Sequence, residues 1–293
     1  MRRHGSTEVA AILTEAGKCL AEAGIDGPFL EAETLLGHML GINRAGVIAR
    51  FRDKLDEAAV EAFCGLVKRR AAREPLQYIT GKQEFFGLDF RVGPSVLIPR
   101  PETEYLAQEA VGFLALSGRE KPLAADIGTG SGCIAASIAA KVPGVSVYAV
   151  DASDDALDTA RENAEANGVA GRIKFLKGDL LSPLAEEGLA GRLDVIASNP
   201  PYIPSGEIPG LQPEVLFEPY SALDGGPDGL DAVRRLIAEA PEYLRPGGLL
   251  LVEIGLGQAE AVKSLADENS GLVFDKFIID FSGIERVLKT RRA

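Results

Sequence analysis

The sequence predicts an α/β protein, a mostly parallel sheet with helices on both faces, preceded by a small helical bundle. Three observations predict it. From about residue 99 onward, short apolar runs alternate with helix-like segments. Strands buried on both faces read as continuous apolar runs, and alternation with helices implies parallel crossovers. Residues 6 to about 74 instead place apolar side chains at helical spacing. A glycine-rich turn directly follows the first apolar run, where open α/β sheets bind ligands.

The elements follow in order. Leu13, Cys19, Leu20 and Ala23 suit one apolar helix face. Phe29, Ala32, Leu35, Leu36, Met39 and Leu40 fit the i, i+3, i+4 template, and Val60, Phe63, Cys64 and Val67 give a third face. Breaks fall at Gly24–Pro28 and Gly41–Asn43. Phe85, Phe86, Leu88, Phe90 and Val92 alternate loosely, punctuated by Gly87 and Gly93, which predicts a β-hairpin or extended linker. Strands are expected at Leu123–Ile127, Val145–Val150, Ile173–Leu176, Leu193–Ala197 and Leu249–Ile254, with a helix at Asp155–Asn167. Val273–Asp280 and Val287–Thr290 can add two more strands. The domain division is therefore 1–76 helical, 77–98 hairpin linker and 99–293 sheet domain.

Composition narrows the functional classes. A chain of 293 residues, 46% hydrophobic and 25% charged, holds about two globular domains. No apolar run approaches the roughly 18 residues that span a bilayer. Met1–Gly5 leads into a helix-like pattern and not a signal-peptide core, so a soluble, cytoplasmic protein without membrane contact is expected. Cys19, Cys64 and Cys133 form neither a disulfide framework nor a zinc pattern. With only His4 and His38, histidine triads and multi-histidine metal sites are nearly excluded, and no metal is expected. Residues 1–80 balance 11 Lys+Arg against 11 Asp+Glu, so residues 81–293 carry the whole net charge of −12. A surface that acidic repels phosphate backbones and argues against general nucleic-acid binding.

Asp126-Ile127-Gly128-Thr129-Gly130-Ser131-Gly132 ends the first strand and opens a helix. Glycines let backbone approach a ligand and permit positive φ. A helix N-terminus there favours an anion such as a carboxylate. The spacing is G-x-G-x-G, not the dinucleotide G-x-G-x-x-G, and no G-K-[ST] follows. Asp151 ends the second strand about 20 residues beyond the glycines, the place of a carboxylate that accepts from a ribose diol. Its alternative role is a helix cap, for which Ser153 and Asp154 also stand ready. Gly178-Asp179-Leu180 closes the third strand, where an adenine would lie or a simple turn would form. The sheet thus suits a nucleoside cofactor, either a dinucleotide or S-adenosylmethionine.

Ser198-Asn199-Pro200-Pro201-Tyr202 follows the fourth strand. Two prolines fix φ twice, remove two N–H groups and extend the residue before each. The Asn199 side-chain oxygen and the Pro200 carbonyl can accept both hydrogens of a planar NH2 group. An amide or adenine nitrogen is a poor nucleophile because its lone pair is delocalised. Bonds to both hydrogens orient that lone pair and stabilise positive charge as it develops. Tyr202 can pack against the flat target group. The pattern therefore favours S-adenosylmethionine, whose methyl carbon must lie in line with the nitrogen. A carboxylate has no hydrogens to give, so glutamine would be preferred over glutamate. Adenine N6 of a nucleic acid is the alternative acceptor.

Over nearly its whole length the sequence resembles the protein-(glutamine-N5) methyltransferases that modify peptide chain release factors. The resemblance rests on Asp126–Gly132, Asp151, Asn199–Tyr202, Arg73-Glu74-Pro75, Gly81 with Glu84-Phe85, and Leu97–Glu104. Phe217-Glu218-Pro219, Glu253-Ile254-Gly255 and Glu285-Arg286-Val287 extend it. It implies a Rossmann-like class I methyltransferase domain with a mostly parallel seven-stranded sheet. It implies that Gly128, Thr129, Gly130, Ser131, Gly132, Asp151, Leu180 and Asn199 line S-adenosyl-L-methionine, with S-adenosyl-L-homocysteine as product. Leu180 stands where some members carry an aromatic residue. Asn199, Pro200, Pro201 and Tyr202 would hold the glutamine of the Gly-Gly-Gln motif of class I release factors, with Asn199, Pro200 and Tyr202 catalytic. Phe85 and Pro99–Glu104 would close over the pocket, and the helical front domain would recognise the release factor in support of translation termination. Lys68, Arg69, Arg70 and Arg73 either meet an acidic partner or complement a helix C-terminus.

Overall fold

The computed structural model describes residues 7–293, so the Met1–Gly5 reading and His4 lie outside the described residues. The chain forms two compact units: one takes the chain up to Gly81 together with Gln212–Phe217, the other Lys82–Leu211 and Glu218–Ala293.

The first unit is helical: α1 (Val9–Glu22), α2 (Pro28–Leu40), α3 (Arg44–Ala49), α4 (Glu57–Ala71) and α5 (Leu76–Thr80). Asn43 and Asp56 cap α3 and α4 by accepting from the amides of Gly46 and Ala59. Ile12, Leu20, Leu35, Leu36, Phe63 and Val67 fill the core. Phe29, expected on the buried face, is 51% exposed; it sits in the first turn of α2 with its ring against Gly17 and the other side open. The cation cluster follows neither sequence reading in full. Arg70 is buried between Glu31 (2.5 Å) and Glu214 (2.9 Å), Arg73 bonds Glu214 (2.7 Å), and Arg69 bonds Glu74 (2.5 Å). These arginines bind Gln212–Phe217 and the turn after α4 into the unit.

The second unit begins with the hairpin β1 (Lys82–Phe85) and β2 (Leu88–Arg91), joined through Phe86 and Gly87, both at positive φ. Right-handed strand twist favours that two-residue turn. Glu104 accepts from the Phe86 amide (2.8 Å) and holds it there. Then follow α6 (Thr103–Leu116), β3 (Leu123–Ile127), α7 (Cys133–Lys141), β4 (Ser146–Asp151), α8 (Asp154–Ala166), β5 (Ile173–Lys177), β6 (Leu193–Ser198), α9 (Tyr220–Leu223), α10 (Asp231–Tyr243), β7 (Leu244–Glu253), α11 (Ala259–Glu268), β8 (Leu272–Ile279) and β9 (Glu285–Arg292).

The sheet has seven strands in the order β5-β4-β3-β6-β7-β9-β8. Only β9 runs antiparallel, to both β7 and β8. Side chains alternate between two cores. Ala124, Val195, Ala197, Leu249 and Leu251 face α6 and α7; Ala125, Ile127, Ile196, Leu250 and Val252 face α10 and α11. Strand β7 starts five residues before the expected Leu249, because Arg245–Gly248 forms a bulge between the Leu193↔Leu244 and Val195↔Leu249 pairs. A bulge accommodates Pro246, which a regular ladder would reject.

Candidate active site

Register builds the site. Ile127 pairs with Val150 on one side and Ser198 on the other. Gly128, Asp151 and Asn199 therefore emerge side by side at the carboxyl edge, where the strand order reverses. Asp151 pairs with Lys177, which brings Gly178–Leu180 alongside. Ser198 pairs with Val252, so Glu253 stands next to Asn199. A cavity of about 640 Å³ opens there, within the usual range for small-molecule sites.

The glycine turn is shaped by backbone conformation. Gly128, Gly130 and Gly132 lie at φ 71°, 54° and 78°, a region that other residues rarely enter. A Cβ on Gly132 would also stand 3.0 Å from the Ala160 Cβ. The amides of Gly128 and Thr129 donate to the Val150 carbonyl, that of Gly130 to Asp151 Oδ2 (2.9 Å), and that of Gly132 to the Thr129 carbonyl. Asp151 Oδ1 accepts from the Ser153 amide (2.9 Å), while Ser153 itself caps α8. Each Asp151 oxygen keeps a second lone pair for a ligand diol.

Asp126 lies beneath this turn, fully buried, and Oδ2 accepts from Thr129 Oγ1 (2.6 Å) and the Ala135 amide (3.0 Å). Its Oδ1 has no partner. Burial pushes this carboxyl up to about 7.

At the other wall, Asn199 Nδ2 donates to Thr103 Oγ1 (3.0 Å). Thr103 Oγ1 donates to Glu253 Oε2 (2.7 Å), and Tyr202 OH reaches Glu253 Oε1 (3.4 Å). Burial pushes Glu253 up to about 7 and holds the Tyr202 phenol above its usual range. Neither Asn199 Oδ1 nor the Pro200 carbonyl accepts a hydrogen bond from the described residues. Glu218, buried, accepts from the Ile98 amide (3.1 Å) and from Arg100 (2.5 Å), which fixes the segment that carries Leu97 and Pro99 onto the cavity wall.

Of the residues singled out in the sequence, Gly128, Thr129, Gly130, Ser131, Asp151, Leu180, Asn199 and Pro201 line the cavity. Gly132 sits at the start of α7 against Ala160, Pro200 is buried, and Tyr202 stands beside Glu253. Phe85 does not reach the cavity wall; at 1% exposure it packs on Phe90 in the core. Pro94–Leu97 supplies that wall instead.

Residues 11–81 match the family described as the PrmC N-terminal domain, and residues 113–210 the methyltransferase small domain. The chain is 47% identical over 274 residues to the release factor glutamine methyltransferase of Moorella thermoacetica, covering 94% of this chain and 95% of that protein. Its identity to the Geobacter sulfurreducens enzyme of the same name is 47% over 277 residues, covering 93% and 92%. This chain belongs to the release factor glutamine methyltransferases. A Pyrococcus furiosus methyltransferase structure, 23% identical with TM-score 0.52 over 76% of this chain and 98% of that one, shares the fold.

Two residues of this glutamine methyltransferase were missed as individuals in the sequence. Thr103 and Glu253 lie inside motifs named above, yet Asn199 meets Thr103 across 96 positions and Thr103 meets Glu253 across 150. The acidic strand-end residue within a hydrophobic run was the one available signal. Among the described residues no group of His, Cys, Asp and Glu is arranged to hold a metal ion, and no helix is long and apolar enough to cross a membrane.

Proposed function

We propose that this enzyme transfers the methyl group of S-adenosylmethionine to the side-chain amide nitrogen of the glutamine in the Gly-Gly-Gln motif of class I release factors. The observation that carries the reading is the paired acceptor at Asn199–Pro200. The Asn199 Nδ2 is tied to Thr103, so its Oδ1 is free to accept, and the Pro200 carbonyl next in the chain accepts from none of the described residues. Two acceptors fit the two hydrogens of a primary amide and repel a carboxylate.

The cofactor-side residues fit S-adenosylmethionine. Asp151 retains lone pairs for the ribose diol, Leu180 offers an apolar wall to the base, and the glycine turn admits a ligand without Cβ obstruction. S-adenosylmethionine held there would supply the electrophilic methyl carbon, with S-adenosylhomocysteine as the product. Asn199 and Pro200 orient the amide nitrogen, draw charge toward its hydrogens and exclude the planar carboxylate. Tyr202 stiffens the turn through Glu253, and the extra proton leaves the nitrogen after transfer.

The helical unit is the proposed recognition element for the release factor, since it is the part matched by the family's own N-terminal domain. Three free thiols suit a reducing, cytoplasmic setting. Asn199→Ala tests the carrying observation. Methyl transfer to a release factor should fall about 10²–10³-fold, as for loss of one charge-stabilising group. Cofactor affinity by calorimetry should change little. Unchanged turnover would remove Asn199 from the mechanism.

A further inference from the structure

We infer that Thr103 and Glu253 are positioning residues that fix which end of the Asn199 amide faces the cavity, and so make the site select an NH2 group. The inference deepens the glutamine reading above and rests on it. A threonine hydroxyl carries one proton and can donate once. Glu253, when ionised, only accepts, so Thr103 must spend its proton on Oε2 (2.7 Å). Its remaining capacity is as an acceptor, and Asn199 Nδ2 fills it at 3.0 Å. The amide then has one orientation, Nδ2 toward Thr103 and Oδ1 away from it.

Run the chain in reverse and the specificity is lost. If position 253 donated to Thr103, the hydroxyl would donate to Asn199 Oδ1, and the Asn199 NH2 would face the substrate. Two sets of N–H hydrogens would then oppose each other, and the lone acceptor left would be the Pro200 carbonyl. An ordinary asparagine in solvent samples both orientations. Here burial removes that freedom, since Thr103 and Glu253 are 2% and 1% exposed.

The fold holds both parts rigidly. Glu253 ends β7 in register with Val287 of β9, one residue past the Ser198–Val252 pair, and Thr103 opens α6. Facing Glu253 are the Tyr202 hydroxyl from the turn after β6, Arg286 from β9, Glu102 beside Thr103, and the Cys133 thiol of α7. Arg286 favours the ionised carboxylate, whereas Glu102 and burial oppose it. Protonated Glu253 can donate to Thr103 and permits the reversed chain. Turnover should therefore rise with pH as Glu253 ionises.

The experiment compares wild type, Thr103→Val, Thr103→Ser and Glu253→Gln with S-adenosylmethionine and a class I release factor. Thr103→Val keeps the shape and loses the hydroxyl; its kcat should fall about 10²-fold. KM for the release factor and cofactor affinity should stay within about threefold, as expected when ground-state binding is kept. Thr103→Ser should recover most of the loss. In Glu253→Gln the acid limb of the kcat–pH profile should vanish, whatever the plateau rate. An active wild type with an equally active Thr103→Val overturns the inference alone, and so does an acid limb retained in Glu253→Gln. If Thr103→Val does not fold, that limb decides. A wild type that leaves the glutamine unmethylated overturns the glutamine reading and this inference with it.

Discussion

Asp126 is a carboxylate with one oxygen satisfied twice and the other not at all. Burial raises its pKa to about 7, above its ordinary value in an unfolded chain. The folded state then binds a proton more tightly than the unfolded state. Its contribution to stability is full below the unfolded value, near pH 4, and is lost as pH rises through about 7. Asp126→Asn should flatten that fall. The Asn oxygen can take over the Thr129 and Ala135 bonds, and its NH2 is left without a partner at a cost of about 1–3 kcal/mol. Urea unfolding at pH 5 and pH 8 should show the variant weaker at the lower pH and level with or above wild type at the higher. A pH slope equal to that of wild type would contradict this reading. At this scale the sequence exposes residues whose role is local: Asp126, Asp151 and Asn199 each belong to a contiguous motif. Thr103 and Glu253 act on each other across 150 positions, which no local pattern reveals.

Helix α8 links the hairpin to the glycine turn through one side chain. Asn163, buried, accepts from the Arg91 amide (2.7 Å) and donates to the carbonyls of Arg91 (3.0 Å) and Ser131 (2.8 Å). Asn163→Ala strips partners from three backbone groups, each worth about 1–3 kcal/mol when buried. A fall in Tm of several degrees should follow, at roughly 2–4 °C per kcal/mol for a unit of this size. Cofactor affinity should weaken with it, because Ser131 belongs to the turn. A Tm within about 1 °C of wild type would show that solvent replaces these bonds. Strands β3 and β6 were legible because doubly buried strands are near-continuous apolar runs, whereas the edge strand β5 buries Ile173 alone. The short helices α3 and α5 carry too few residues to display a period. The start of β7 was hidden because Arg245-Pro246-Gly247-Gly248 reads as a turn when it is a bulge.

Across the whole molecule, charge divides along the chain. Residues 1–80 are neutral and residues 81–293 carry the −12. Arg69, Arg70 and Arg73, at and just past the end of α4, read in sequence as a contact surface or a helix-end complement. The structure binds all three to Glu31, Glu74 and Glu214 within the helical unit. Residues 212–217 join that unit despite lying far along the sequence, and only tertiary contact could disclose it. The acidic sheet domain favours a protein acceptor over a phosphate backbone. The central claim is that the Asn199–Tyr202 turn methylates a protein glutamine. The direct test incubates pure enzyme with labelled S-adenosylmethionine and a class I release factor, then maps the product by mass spectrometry. The account predicts one methyl group on the Gly-Gly-Gln glutamine amide and none after Gln→Ala in that motif. Label that survives the Gln→Ala change, or robust transfer to DNA or RNA instead, would contradict it.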